Sequence, residues 1–404
     1  MILEVLPADK GDCLILHGDK EGLILIDGGP AGVYSDFLLP RLEALREERG
    51  LAADKPLVID LVVVSHVDDD HINGIIDLFE AMKDRVEARQ PPLFQVKGLW
   101  HNSFDRILGN DETGALTGKT QFGAASMSPV IEEAEEGPAT DAAKVLASVK
   151  QGDDLKRLAE FLRIPVNAQF KGQLIMTVPG ETVSREVAGV ELVVLGPRQP
   201  ELVELQKTFD EWLERQPFAE RSETSLLASL DDKSSANLSS IVLLARDGKK
   251  TVLLTGDARS DKVMEGLKDC GLCGDGETIE VGVLKMPHHG SIRNIDEDFV
   301  RRVTSRHYVF SGNGEHGNPD RETLEMLLKE RPGAEMNFHL TYPIDEIDRV
   351  RHQIHDKERA KKLRKGKPAP EWSDKAHSLG AVLGELPAGV TVHPNAHDGS
   401  PVQL

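Results

Sequence analysis

An α+β fold with a chemical site at one edge of a sheet is what this sequence predicts, on three observations. Leu61–Val64 is a short apolar run that reads as a buried strand, and Ser65-His66-Val67-Asp68-Asp69-Asp70-His71 follows it directly. Thr251–Leu254 is a second such run and leads into Gly256-Asp257. Val281–Leu284 is a third and leads into Pro287-His288-His289-Gly290-Ser291. Each strand delivers imidazole or carboxylate at its carboxyl end, so the three ends are expected to meet. Segments of helical spacing between them supply the α part.

The elements follow in order. Met1–Val5 starts as a strand and lacks the basic-then-apolar profile of a signal peptide. Phe37–Arg49 and Ile75–Ala88 carry apolar residues at helical spacing, and Pro91-Pro92 ends the second. Ile72–Ile76 reads as the opening of that second helix, so the ligand-rich turn sits between strand and helix. Residues 102–140 turn to Gly, Ala, Ser and Thr and then to an acidic stretch, which reads as an insertion over the site. Asp141–Leu162 is expected as helix, Gly172–Val178 and Val190–Leu195 as strands, and Leu202–Leu213 as an amphipathic helix. Gln216–Ser235 is a polar link. His307–Phe310 is a strand before a glycine-rich loop, Phe338–Thr341 another, and Ala388–Val392 a closing one.

Composition narrows the class. A chain of 404 residues with 39% hydrophobic and 29% charged residues is that of a soluble globular protein of one to three domains. No apolar run approaches membrane-spanning length, so no membrane partner and a cytoplasmic location are expected. Three cysteines fit a reducing compartment. Cys13 reads as core, and the lone Cys270-x-x-Cys273 reads as a loop before Ile279 rather than a zinc site. The net charge of −20 repels polyanions as a whole. Against it stands the basic run Arg349–Lys367, whose acidic members are Asp356 and Glu358 alone. That run is either a solvated helix face or the positive surface that a polyanion or an acidic partner needs. Lys361, Lys362, Arg364 and Lys365 are its candidate substrate-binding residues. The insertion and the acidic surface are the candidate docking places for a protein partner.

The chemistry is concentrated in one turn. His66, Asp68, Asp70 and His71 would repel, or leave polar groups unpaired, unless a cation neutralised them. The alternating His66-x-Asp68 and the adjacent Asp70-His71 project in two directions, which suits two metal positions. The bland alternative is an acidic, solvated loop with incidental histidines. His288 and His289 are expected on extended chain with opposite directions, His288 as ligand and His289 toward substrate or core, where it is a candidate catalytic group. His316, in the loop Ser311–Pro319, is a candidate substrate contact or proton donor, or else an ordinary surface histidine.

These motifs resemble the metallo-β-lactamase fold, and within it the hydrolase domain of ComEC-type competence proteins and their soluble relatives. Gly11–Leu16 and Leu25–Gly29 match the opening hairpin, and Asn237–Leu243 matches the strand before Gly256-Asp257. The resemblance covers roughly residues 1–80 and 235–320. It implies a four-layer αββα sandwich over residues 1–336 with an insertion at about 102–234. Residues 337–404, with the basic helix 349–367, are left as a C-terminal extension packed on or near the sandwich. It also implies two ions, zinc or manganese. One would take Asp70, His71 and His288, the other His66 and Asp68, with Asp257 bridging, and Asp70 would also orient the nucleophile. Asp68 stands where histidine is commoner, which makes that position harder and richer in oxygen. Asn237 stands where many members carry another histidine. It is a candidate weak, neutral ligand, so one ion is expected to be held less tightly.

The expected function is hydrolysis by a metal-activated hydroxide. A phosphodiesterase or nuclease comes first, with nucleic acid or another phosphodiester as substrate. The alternative, raised by the acidic surface, is a small ester, lactone, thioester or small phosphodiester. An interaction protein with a vestigial metal site is the third reading.

Overall fold

Short apolar strands, each alternating its faces, build two sheets back to back. The computed structural model of the protein describes residues 1–103, 141–203, 239–395 and 401–404, with the backbone alone for 141–150. The strands are β1 (Ile2–Val5), β2 (Leu14–His17), β3 (Leu23–Ile26), β4 (Leu57–Ile59), β5 (Leu61–Val64), β6 (Phe94–Val96) and β7 (Leu99–His101). Then come β8 (Val183–Val187), β9 (Val190–Gly196), β10 (Val242–Asp247), β11 (Lys250–Leu254), β12 (Ile279–Lys285) and β13 (Val303–Phe310). The last are β14 (Met336–Leu340), β15 (Val390–Pro394) and β16 (Val402–Gln403). One sheet runs β16-β1-β2-β3-β5-β7 and the other β15-β14-β13-β12-β11-β10-β9-β8, while β4 and β6 pair separately.

The helices that matter are α1 (Leu39–Glu48), α2 (Asp69–Glu87), α3 (Asp141–Phe161), α4 (Ser260–Asp269) and α5 (Glu297–Arg302). Further on lie α6 (Arg321–Glu330), α7 (Ile344–Arg364), α8 (Asp374–His377) and α9 (Leu379–Leu383). Strand parity assigns the layers, because successive side chains leave opposite faces. Val62 and Val64 join Leu42, Ile72, Ile75 and Phe79 in a core under α1 and α2. Leu61 and Val63 join Val252, Leu254 and Val309 between the sheets. Leu253, Leu284, Tyr308 and Phe310 join Val263, Phe299, Leu324 and Ile347 under the second helix layer. The result is the αββα sandwich. Each fully buried Leu, Val or Phe contributes about 1.5–3 kcal/mol to it.

Parallel pairing decides where chemistry collects. β3 pairs parallel with β5, and β11, β12 and β13 pair parallel in turn, so their carboxyl ends line up within each sheet. The two sets of ends also meet. The Ile241 amide donates to the Ser65 carbonyl at 2.8 Å. Gly256 adopts φ 51, and a Cβ there would lie 3.2 Å from that of Ser65. A side chain at 256 would therefore be strained in its backbone and crowded at the seam.

Several sequence expectations change. The second helix begins at Asp69, so Asp70 and His71 lie in its first turn rather than on a loop before it. Gly172–Val178 forms no strand beyond the single bridge Thr177–Arg198. The Asn102 side chain takes both the amide and the carbonyl of Ile175, at 2.8 and 2.7 Å, which satisfies that backbone without a ladder. The edge strand β8 appears just downstream instead. The stretch expected as an extension is woven into both sheets, with β14 and β15 inside the second and β16 on the free edge of β1. A boundary at 336/337 would cut β14. The insertion from 104 to 140, most of Leu202–Leu213, Gln216–Ser235 and Asn237 lie outside the described residues. Among the described residues, no helix is long and apolar enough to cross a membrane. Cys13, Cys270 and Cys273 are free and buried.

The rim of the second sheet carries a titrating device. His307, His339 and His393 sit on β13, β14 and β15. His307 Nδ1 lies 3.0 Å from His339 Nε2, and His339 stacks on His393 at 4.8 Å between centroids. Burial, and then His393 and His307, push the His339 pKa down from 6.5 to about 4. Between those values the unfolded chain binds a proton that the folded chain refuses, so stability falls as pH is lowered through that window. His339→Asn should flatten this part of the profile of melting temperature against pH. An unchanged profile would assign the acid sensitivity elsewhere.

Candidate metal centre

Strand ends and one helix start supply the side chains. Asp27 follows β3, Ser65 and His66 follow β5, and Asp257 follows β11. His288 and His289 follow β12, and Ser311 follows β13. Asp68 is the N-cap of α2, but its side chain makes no cap bond and lies 3.5 Å from His66 Nε2. Carboxylates at the start of a helix are favoured by the peptide dipoles, so the acidic turn and the helix support each other.

Asp257 is the centre of the arrangement. Its Oδ1 lies 3.4 Å from His71 Nε2 and 3.4 Å from His289 Nε2. Its Oδ2 lies 3.6 Å from His288 Nε2 and 3.8 Å from His66 Nε2. The two carboxylate oxygens thus face different histidine pairs. His66, His71 and Asp257 offer ligand atoms within 4.8 Å of one another, and so do Asp70, His71 and His289.

Proton placement settles which nitrogen of each ring is bare. Asp27 accepts from the Ser65 amide and hydroxyl, both at 2.7 Å. The Ser65 hydroxyl has then given its proton and can only accept from His66 Nδ1, 3.0 Å away. Asp27 also accepts from His71 Nδ1 at 2.9 Å. In the same way Ser311 donates to Asp12 at 2.5 Å and accepts from His289 Nδ1 at 3.1 Å. In its neutral form each ring carries its proton on Nδ1 and aims a bare Nε2 at the Asp257 carboxylate. The Nε2 atoms of His66, His71 and His289, and Asp257 Oδ1, are all buried without a hydrogen-bond partner. Lone pairs of three imidazoles facing a carboxylate repel, and a cation between them removes that cost. The donor set, nitrogen with carboxylate oxygen, fits a divalent metal.

Without a metal, a proton takes the cation's place. Burial disfavours charge on His71, yet Asp257 and Asp27 outweigh it and hold its pKa well above 6.5. Burial would raise Asp257, yet His288, His289 and His71 together keep it well below 3.8. On His288 burial prevails over Asp257 and lowers the pKa. The pocket favours positive charge wherever a proton can supply it.

Of the residues expected from the sequence, His66, Asp68, Asp70, His71, Asp257, His288 and His289 come together here. One geometric expectation is corrected. His288 and His289 lie in a tight turn, Pro287–Gly290, with φ of 46 and 57, and not on extended chain. Consecutive left-handed residues coil the backbone, so both rings reach Asp257 instead of pointing to opposite faces. The group that holds Asp70 and His71 contains His289 rather than His288. His316 sits on the turn Glu315–Gly317, which packs on α7, and Lys361, Lys362 and Arg364 lie in the last turn of α7, followed by Lys365. Sequence reasoning missed roles for Asp12, Asp27, Ser65, Ser311 and Lys285. Its available signal was an isolated polar residue closing or opening an apolar run.

Comparison with known proteins bears on this geometry. Residues 6–151 match the model of the Metallo-beta-lactamase superfamily. A stretch of 69 residues, 17% of this chain, is 36% identical to microtubule-associated protein 1A of Rattus norvegicus, of which it spans 2%. Among solved structures, a diphosphatase from the PhnP family is 13% identical, over all of this chain and 96% of that one, with a TM-score of 0.33. A Parabacteroides distasonis protein named as a metal-dependent hydrolase is 9% identical, over 84% of this chain and 92% of that one, at a TM-score of 0.32. The matched stretch, about a third of the chain, holds β2 to β7 and the whole ligand-rich turn at the start of α2, so this part of the chain is similar to a metallo-beta-lactamase superfamily domain, and the αββα sandwich is a metallo-beta-lactamase fold.

Proposed function

We propose that the protein hydrolyses phosphodiester bonds, in the cytoplasm, with two divalent ions held unequally at the Asp257 cluster. The observation that carries the reading is the convergence of three bare Nε2 atoms on one buried carboxylate. Zinc or manganese suits this mixed nitrogen and oxygen set. One position would take Asp70, His71, His289 and Asp257 Oδ1, and the other His66, Asp68, His288 and Asp257 Oδ2. The side chains of His71 and His289 are 0% and 2% exposed, whereas Asp68 and His288 are 35% and 30% exposed. The second position is therefore the wetter and weaker one.

Bound divalent ions would lower the pKa of a water toward neutrality and draw charge from a phosphoryl oxygen. The chain does the rest. Asp257 fixes the spacing of the two positions, and Asp27 with Ser65 holds His66 and His71 in one tautomer. Asp70, half-buried at the start of α2, orients the attacking group. The resemblance of the three motifs to ComEC-type hydrolase domains, and the extra oxygen of Asp68, favour a phosphodiester.

Turnover of a small ester is the second reading, favoured by the net charge of −20 and by how the basic run is used. Arg351 binds the carbonyls of Gly317, Pro319 and His377. Lys361 follows ten residues later, about 15 Å along the helix axis. The test offers single-stranded DNA, RNA, a chromogenic phosphodiester and a lactone to metal-loaded protein, with Asp70→Ala as control. On the first reading, changing Lys361, Lys362, Arg364 and Lys365 to glutamine weakens oligonucleotide binding and flattens its salt dependence, by about 0.7 in log–log slope per lost phosphate contact. Turnover of the small diester should hardly change. Cleavage of the lactone with none of any phosphodiester would establish the second reading.

A further inference from the structure

Beneath the cluster lies a buried ion pair that hydrolysis does not by itself require. Lys285 closes β12 and is 0% exposed, and Asp12 is 1% exposed. Lys285 Nζ pairs with Asp12 Oδ2 and reaches the Gly256 carbonyl at 3.4 Å, one residue before Asp257. The other oxygen, Asp12 Oδ1, accepts from Ser311 at 2.5 Å and lies 3.4 Å from His289 Nδ1. Asp12 Oδ2 is also 4.0 Å from His71 Nδ1. Taking both charges out of water is costly, and a well-packed apolar pair of similar volume is often as stable or more so. Stability alone gives such a pair little reason to exist.

An apolar pair cannot hold a carboxylate under the ring of His289. His71 has its own carboxylate in Asp27, and His66 is served through Ser65. His289 depends on the chain Lys285–Asp12–Ser311. We propose that Asp12 is a positioning residue for His289, that Lys285 holds it in place, and that this chain sets the affinity of the Asp70, His71 and His289 position. Ser311 passes the constraint on: its hydroxyl proton goes to Asp12, so its oxygen takes the His289 Nδ1 proton and leaves Nε2 bare. Orientation of a ligating imidazole by an outer hydrogen bond is worth about 10–100-fold in metal affinity or activity. The inference rests on the ligand assignment under Proposed function.

The experiment compares the unaltered protein with Asp12→Asn, Lys285→Met, the double variant carrying both, and Ser311→Ala. Thermal unfolding of metal-free protein and titration with zinc and with manganese are measured for each. Each charge-removing single variant leaves a buried charge unpaired and should melt earlier, and the double variant should recover most of that loss. Its tighter ion should nevertheless bind about 10–100-fold more weakly, with the weaker position unchanged. Ser311→Ala leaves the ion pair intact and should weaken the same position several-fold, which keeps the question answerable if the double variant folds badly. Unaltered affinity in a stable double variant, or in Ser311→Ala, would reduce the chain to a structural ion pair and overturn the proposal. If the unaltered protein binds neither ion, the ligand assignment itself falls, and this inference with it.

Discussion

Asp257→Asn is expected to abolish hydrolysis and to lower the melting temperature of the metal-free protein at neutral pH. The two effects have one cause. In the metal-free state the Asp257 carboxylate faces Nε2 of His71 and of His289 at 3.4 Å, and Nε2 of His288 and of His66 at 3.6 and 3.8 Å. An amide of the same shape removes the charge that holds the His71 pKa well above 6.5, so the pocket loses the partner of its proton. The same change removes the one ligand that both proposed ion positions share. Substitution of groups behind the ligands already costs about 10–100-fold in affinity or activity, so loss of the bridging carboxylate should exceed that at both positions. Metal content after dialysis, melting temperature and turnover of a chromogenic phosphodiester check the three parts. Retention of both ions would remove Asp257 from the centre of the site.

Gly74→Ala should damage the site from behind, without touching a ligand. A Cβ at Gly74 would sit 2.0 Å from the Gly28 carbonyl oxygen and 2.7 Å from its carbon, which are backbone atoms that cannot swing away. Alanine gains about 1 kcal/mol in helix propensity over glycine. Overpacking against a fixed backbone costs about 1–3 kcal/mol, occasionally more, so the net effect is destabilising. The displacement has a direction. Gly28 donates to the His71 carbonyl at 2.7 Å, and Gly74 donates to the Gly29 carbonyl at 3.1 Å, so α2 is tied to the loop that carries Asp27. Pushing the helix away separates His71 from both Asp27 and Asp257. A lower melting temperature together with weaker binding at the His71 position is expected. Lower stability with unchanged affinity would show that the helix start moves as a unit with its ligands.

Much of the candidate site was legible in the sequence, and the reason is local. His66, Asp68, Asp70 and His71 lie within a single turn, and Asp257, His288 and His289 each follow an apolar run closely. Chemistry that dense next to strands needs no knowledge of the fold to be noticed. The supporting residues were hidden for the converse reason. Asp12 and Ser311 are 299 positions apart, and Asp27 and Ser65 are 38 apart. Each lies in a stretch that the sequence singles out, but nothing local gives it a role beside its apolar strand. Lys285 was hidden because a lysine at the end of a strand reads as a solvent contact until burial reveals its partner.

The sequence by itself determined the alternation of apolar faces, the helix that starts at the ligand-rich turn and the residue types that ask for a cation, because each depends on neighbours within a few positions. Tertiary structure alone decided three other matters. It turned both His288 and His289 toward Asp257, because two left-handed residues coil the turn that holds them. It wove residues 390–394 and 402–403 into the sheets, because each edge strand there offered unpaired backbone groups to whatever chain returned. It also gave each oxygen of Asp257 a different histidine pair. That property belongs to the seam where two sheets meet, and no single stretch of chain contains it.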